Sequence, residues 1–204
     1  MVDVASIVPS MRDFLQAIAT RRKRLSLVPL VDSVDDARAM VEAGAAAIAM
    51  KAPGDAMAAV SAAIGTTPLI LLAPIGDDEA ALVARASGAD AVIVDARFDG
   101  AAWDAIAKGA RATRMAVLSM ATDHDSAKRA ASTAAKGAYL KLYGVEPIAS
   151  VSASLAAPLR VLAHVTGIDE AGLRAMRGVV DAAIVESDLY LSTSFATLKD
   201  ELDP

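Results

Sequence analysis

The chain has no cysteine. That removes disulfides, thiolate metal sites and a cysteine nucleophile together. Aromatic residues make up 3% of its 204 positions, too few for a surface that stacks bases. The one basic block is Arg21-Arg22-Lys23-Arg24, and the net charge is -5, which argues against a nucleic-acid partner. No apolar run reaches the roughly 18 residues of a membrane span. The opening MVDVASIVPSMRDFLQ lacks the basic start and long apolar core of a signal peptide. The expectation is a cytoplasmic protein with no membrane partner. Few metal-type side chains converge, so no metal and no cofactor is expected. What is abundant is small and apolar: hydrophobic residues reach 55% and alanine is used heavily, which suits close packing of helices on a sheet.

Four segments share one pattern: EAGAAAIAM (42–50), ASGADAVIV (86–94), AKGAYLKL (135–142) and RGVVDAAIV (177–185). In each, a helix end meets a glycine able to take positive φ, and a short apolar run follows. Runs apolar on both faces fit a parallel sheet covered by helices. Four more runs lie between them, at 25–31, 68–73, 115–121 and 160–165. The eight strands recur roughly every 20–24 residues, the smallest repeat that holds a strand, a helix and two loops. Ser33, Asp78, Glu79, Asp169 and Glu170 suit the starts of the intervening helices. An extra helix is expected over SMRDFLQAIATRR (10–22). Eight even repeats, with no G-x-G-x-x-G after the first strand, favour a closed (β/α)₈ barrel over an open doubly wound sheet. The expected fold is therefore a single (β/α)₈ (TIM) barrel domain over 1–204 with one extra N-terminal helix.

Chemistry in such a barrel sits at the C-terminal ends of the strands. Those ends carry Asp32 and Ser33, Lys51, Ala73-Pro74, Asp95 and Arg97, Ser119 and Thr122, Lys141 and Tyr143, His164 and Thr166, then Glu186 to Asp188. Side chains alternate along a strand. If Lys51 points inward, so do Ala49 and Ala47, and Asp95 and Glu186 fall at the equivalent place on strands 4 and 8. Lys141 follows its glycine more closely. A loop one residue shorter before strand 6 turns it inward, one pleat deeper than Lys51, with Leu140 and Leu142 facing the helices. The alternative buries an unpaired ammonium under the helices, at a cost of several kcal/mol.

Two lysines with carboxylates and a histidine point to imine chemistry. A lysine amine attacks a carbonyl only when unprotonated, and its reference pKa near 10.4 opposes that. Desolvation and a neighbouring cation lower it, and a carboxylate or histidine moves protons as the carbinolamine and imine form. The candidate catalytic residues are Lys51, Lys141, Asp95, Glu186 and His164. Each also has a plain reading as a salt-bridged or solvated group at a barrel mouth. His124 in the DHDS turn reads as solvated, Trp103 and Met57 as core, and Tyr139 and Tyr143 as barrel filling.

The repeat pattern resembles the compact phosphate-binding (β/α)₈ barrels. VDSVDDARAMVEAGAAAIAMKAP is similar to a segment of phosphoribosylanthranilate isomerase and of the (5-formylfuran-3-yl)methyl phosphate synthase family. The latter carries Lys-x-Pro after strand 2, matched here by Lys51-Ala52-Pro53, and the resemblance implies a Schiff-base role for Lys51. GAYLKLYG is similar to the lysine-bearing strand of that family and of type I dehydroquinases. FLQAIATRRKRLSLVPLVDS resembles indole-3-glycerol-phosphate synthase. The departures are specific. The isomerase's strand-1 cysteine is absent. The synthase's lysines after strand 1 and on strand 3 are replaced by Asp32-Ser33 and Ala73-Pro74. Phosphate in these barrels is held by backbone N–H groups after strands 7 and 8. Here Thr166, Gly167 and Ser187 are the candidates for substrate or phosphate binding, with Asp188 opposing an anion.

Three readings follow. The first is a lyase or synthase that forms a lysine imine with a small, optionally phosphorylated carbonyl substrate. The second is an isomerase or cyclase of the tryptophan- or histidine-pathway barrel type, using Asp95 with Asp32 or Glu186 as acid and base. The third is a barrel without activity that serves as a subunit or scaffold. The expected partner is a small-molecule substrate, and a homodimer is among the open oligomeric states.

Overall fold

Each apolar run becomes a parallel strand: β1 (Ser26–Pro29), β2 (Ile48–Met50), β3 (Leu69–Ile75), β4 (Ala91–Asp95), β5 (Ala116–Ala121), β6 (Gly137–Leu142), β7 (Arg160–Val165) and β8 (Ala182–Val185). The computed structural model describes residues 7–19, 24–143, 146–155, 159–192 and 194–203. Arg21 to Lys23 of the basic run and Gly144 of GAYLKLYG lie outside them. The strands form one sheet in the order β1-β8-β7-β6-β5-β4-β3-β2. The ring closes between its ends through the Leu30↔Ala49 bridge, where Val31 N–H donates to Ala49 O (3.0 Å). The fold is an α/β (β/α)₈ barrel with an additional short N-terminal helix.

The helices are α1 (Phe14–Ala17), α2 (Val34–Glu42), α3 (Asp55–Ala63), α4 (Asp78–Ala86), α5 (Gly100–Ala112), α6 (His124–Ser132), α7 (Glu146–Ser152), α8 (Glu170–Ala175), α9 (Ser187–Ser192) and α10 (Phe195–Leu202). Several of their starts are capped by short polar side chains, which satisfy orphan N–H groups. Ser33, Asp77, Asp99, Asp123 and Asp169 accept from the N–H groups of Asp36, Ala80, Ala102, Ser126 and Gly172. These carboxylates face the same end as the candidate site and are committed to capping.

Three apolar layers result. The barrel interior holds Val28, Leu30, Ala47, Ala49, Ile70, Ile93, Leu118, Tyr139, Leu162 and Ile184. Two outer layers, between strands and helices, hold the alternate residues, such as Leu140 and Leu142 and Ile48 and Met50. Fully buried Phe14 and Ile18 join the interior layer, so α1 and the residue after it plug the N-terminal end of the barrel. The expected helix over 10–22 is far shorter, because Ser10 and Arg12 are drawn away from helical geometry. Ser10 N–H donates to Thr113 O (2.9 Å), and both side chains bind Asp90.

One strand end differs from expectation. Strand 3 does not stop before Pro74 but runs through it to Ile75. Its pairing with β4 shifts between Ile70 and Pro74, as a residue without an N–H demands.

Candidate active site

The interior parity of each strand decides which of its terminal residues enter the mouth. Ala49, Ile93, Tyr139 and Ile184 are interior residues of β2, β4, β6 and β8. Two residues beyond each stand Lys51, Asp95, Lys141 and Glu186. All four therefore share the inward parity on the even strands, which supply common tiers of a barrel. The register makes Lys141 level with the others. Asp95 pairs with Met120, Met120 with Tyr139, and Lys141 with His164. With the stagger of a tilted barrel, the residue level with Asp95 on β6 is Lys141. The deeper placement expected for Lys141 does not hold, because distance from the preceding glycine is no measure of height along a tilted strand.

Neither lysine's amine makes a hydrogen bond or ion pair among the described residues, and both residues are exposed at the rim. Burial there is slight, so the desolvated setting expected for them is largely missing. What the mouth supplies is proximity of charge. His164, an interior residue of β7, is held below its ordinary value first by burial, then by the positive charges of Lys141 and Lys51; Glu186 opposes this. Both ammonium groups thus act on one imidazole.

His164 is 7% exposed and lies at the centre of a chain of three groups. Its Nε2 meets Glu186 Oε1 at 3.3 Å, and its Nδ1 meets the Tyr139 hydroxyl at 2.6 Å. A carboxylate only accepts, so Nε2 carries the proton. In a neutral ring Nδ1 is then the acceptor, and Tyr139 O–H donates to it. Burial, aided by the charge of Glu186, pushes the Tyr139 phenol up, which keeps it a donor. Tyr139 is therefore more than barrel filling. The signal in the sequence was its place two residues before Lys141, which puts both on the inner face of one strand. Tyr143 is 86% exposed and fills nothing.

Asp95 is held otherwise. Arg97 binds it through the backbone N–H (2.8 Å) and the guanidinium Nε (2.9 Å to Oδ2). Partial burial favours the neutral acid, but these hydrogen bonds and the Arg97 charge outweigh it and hold the carboxyl below its ordinary value. Asp95 is a fixed anion at the rim. Gly167 N–H, a candidate phosphate donor, points instead to Glu186 Oε2 (3.4 Å). Thr166 and Ser187 are exposed beside it, and Ser187 opens α9 with Asp188 in the first turn. Asp32 and Thr122 are exposed. Ser119 has outward parity and is fully buried, with no hydrogen-bond partner for its hydroxyl. His124 is exposed as expected, and it also binds Ser154 Oγ (3.0 Å) and Ser150 Oγ (3.3 Å), which ties α6 to the α7 region.

No protein-family model matches the chain, and no curated protein does. Solved structures do. A 3-hexulose-6-phosphate synthase superposes with a TM-score of 0.65 at 15% identity, over 87% of this chain and 98% of that one. A Burkholderia cenocepacia J2315 protein assigned as a phosphonomutase gives 0.62 at 17% identity, over 92% and 96%. A second from the same organism, assigned as a lyase/mutase, gives 0.63 at 15% identity, over 94% and 95%. Likeness at such low identity speaks to architecture. The chain has the (β/α)₈ fold that these enzymes share.

Proposed function

We propose that the chain is a lyase or synthase that forms an imine between a mouth lysine and a small carbonyl compound. One observation carries this reading: two unpaired amines share the inward tier of the even strands and act on one buried histidine. Lys141 is the better nucleophile, because it pairs in register with His164 on the adjacent strand. Its amine attacks the carbonyl carbon, and the resulting carbinolamine loses water to give the imine. Glu186 at the rim passes the protons to and from the carbinolamine, with His164 and Tyr139 hydrogen-bonded in line behind it. Lys51 supplies positive charge facing the substrate, and the Asp95–Arg97 pair lines the rim. The shared fold agrees with such chemistry and does not choose the substrate.

Borohydride reduction in the presence of small aldehydes and ketones, triose phosphates among them, tests the reading. A covalent adduct on Lys141, located by peptide mass spectrometry, is the expected result. It should vanish in Lys141→Ala and persist in Tyr139→Phe with turnover reduced by about 10- to 100-fold, the scale of a lost acid–base arrangement. If Lys51→Ala and Lys141→Ala both retain full activity, imine formation is wrong.

A further inference from the structure

We propose that the opposite, N-terminal face of the barrel carries a second binding site, for a small organic anion with an apolar body. A cavity of about 450 Å³ opens there between residues 10–15, the turn after α5 and the loop before β6. That volume lies within the range of small-molecule sites and exceeds what a bare inorganic ion fills. Met11, Leu15 and Met115 give it an apolar wall, and Arg111, Arg114 and Lys136 give it positive charge. Asp13 is the acidic side chain among the lining residues, and its carboxylate already accepts from Gln16 N–H (3.0 Å). Arg111 is paired with Asp104 (3.0 Å) and lies over the Trp103 ring. Arg114 and Lys136 make no side-chain hydrogen bond or ion pair among the described residues. In a chain of net charge -5, two unpaired cations at one concave, partly apolar place are unusual.

The backbone at Arg114 adds an independent reason. Helices α2 and α4 end in the same hydrogen-bonded turn: Gly44 N–H to Val41 O with Ala45 N–H to Met40 O, and Gly88 N–H to Arg85 O with Ala89 N–H to Ala84 O. Both glycines have positive φ, as this motif prefers. Helix α5 ends the same way, with Arg114 N–H to Arg111 O and Met115 N–H to Ala110 O. There the left-handed position holds an arginine, at φ 58°, the one non-glycine residue with positive φ among the described residues. A guanidinium stands where glycine folds most easily, on the wall of the cavity. Strain of this kind persists where the side chain has a use.

Phenyl phosphate is the probe, with benzyl alcohol as its neutral counterpart, and the intact chain is the sample. Phenyl phosphate should raise the melting temperature and shift the amide resonances of Leu15 and Lys136. Arg114→Gly and Lys136→Gln should each weaken binding by about tenfold, the scale of one charge-assisted contact. Without ligand, Arg114→Gly should melt at the same temperature or higher, since glycine suits that φ, so lost binding is not lost folding. Lys51→Ala and Lys141→Ala should bind undiminished, which separates this site from imine chemistry at the mouth. The proposal is overturned by no binding to the unmodified chain, by equal binding of benzyl alcohol, by undiminished binding in both cavity variants, or by loss confined to the mouth variants.

Discussion

Asp90 shows how much one carboxylate can organise. Its side chain is wholly buried and binds Arg12 Nε (2.7 Å), Arg85 Nη1 (2.8 Å), Ser10 Oγ (2.7 Å) and the N–H of Leu69 (2.9 Å). Together these tie the segment before α1, the end of α4 and the start of β3 to the foot of β4. Nothing in ASGADAVIV singled out Asp90, because its partners Arg12 and Ser10 are far away along the chain. Removing one partner of a buried ionic cluster strands the others, so Asp90→Ala should lower stability by about 3–5 kcal/mol, read from urea denaturation. A loss under about 1 kcal/mol would show the cluster to be no better than a surface pair. The mouth residues were more legible. Alternation along a strand is a local property, so the inward direction of Lys51, Asp95 and Glu186 was available from their spacing. The pairing of Asp95 with Arg97 and the contact of Tyr139 with His164 were not, because side-chain partners are chosen by rotamer and neighbouring strand.

The αβ loops are the elements most plainly written in the sequence. Of the four glycines that precede apolar runs, Gly44, Gly88 and Gly178 take the positive φ expected near a helix end; Gly137 does not, because α6 closes at Thr133 in extended geometry and Gly137 is already the first residue of β6. Gly88 is further constrained by packing. A Cβ there would overlap the Ser61 side chain of α3, which donates to Gly88 O (3.2 Å) and meets Arg12 Nη2 (2.6 Å). Gly88→Ala therefore combines a left-handed alanine with an overlap against a held hydroxyl. It should cost roughly 2–4 kcal/mol, measured by urea denaturation beside Arg114→Gly at the same place in α5. Equal stabilities for the two variants would refute this account of the helix ends. Helix α1 was the element least visible in advance. Its apolar pattern invited a longer helix, and the ion pairs of the preceding segment cut it short.

At the scale of the whole molecule, the barrel is not uniform around its ring. Strands β6 and β7 pair from Gly137↔Arg160 to Leu142↔Val165, whereas β1 and β2 meet through the Leu30↔Ala49 bridge with the flanking bonds Val31 N–H to Ala49 O and Ala46 N–H to Leu27 O (3.3 Å). Local opening follows the weakest seam. The Val31 amide should exchange with deuterium at least about tenfold faster than those of Leu140 and Leu162, by native-state exchange and NMR. Equal rates would mean that the ring opens as one unit. The amino-acid order alone determined that eight strand–helix units alternate, where each begins, and which residues face the centre, since apolar runs, caps and the period of two are properties of neighbouring residues. The tertiary structure decided the common level of the two lysines, the Tyr139–His164–Glu186 chain, the Asp90 cluster and the cavity at the foot of the barrel. Those depend on strand stagger and on contacts between residues distant in sequence, which only the packing of the closed ring sets.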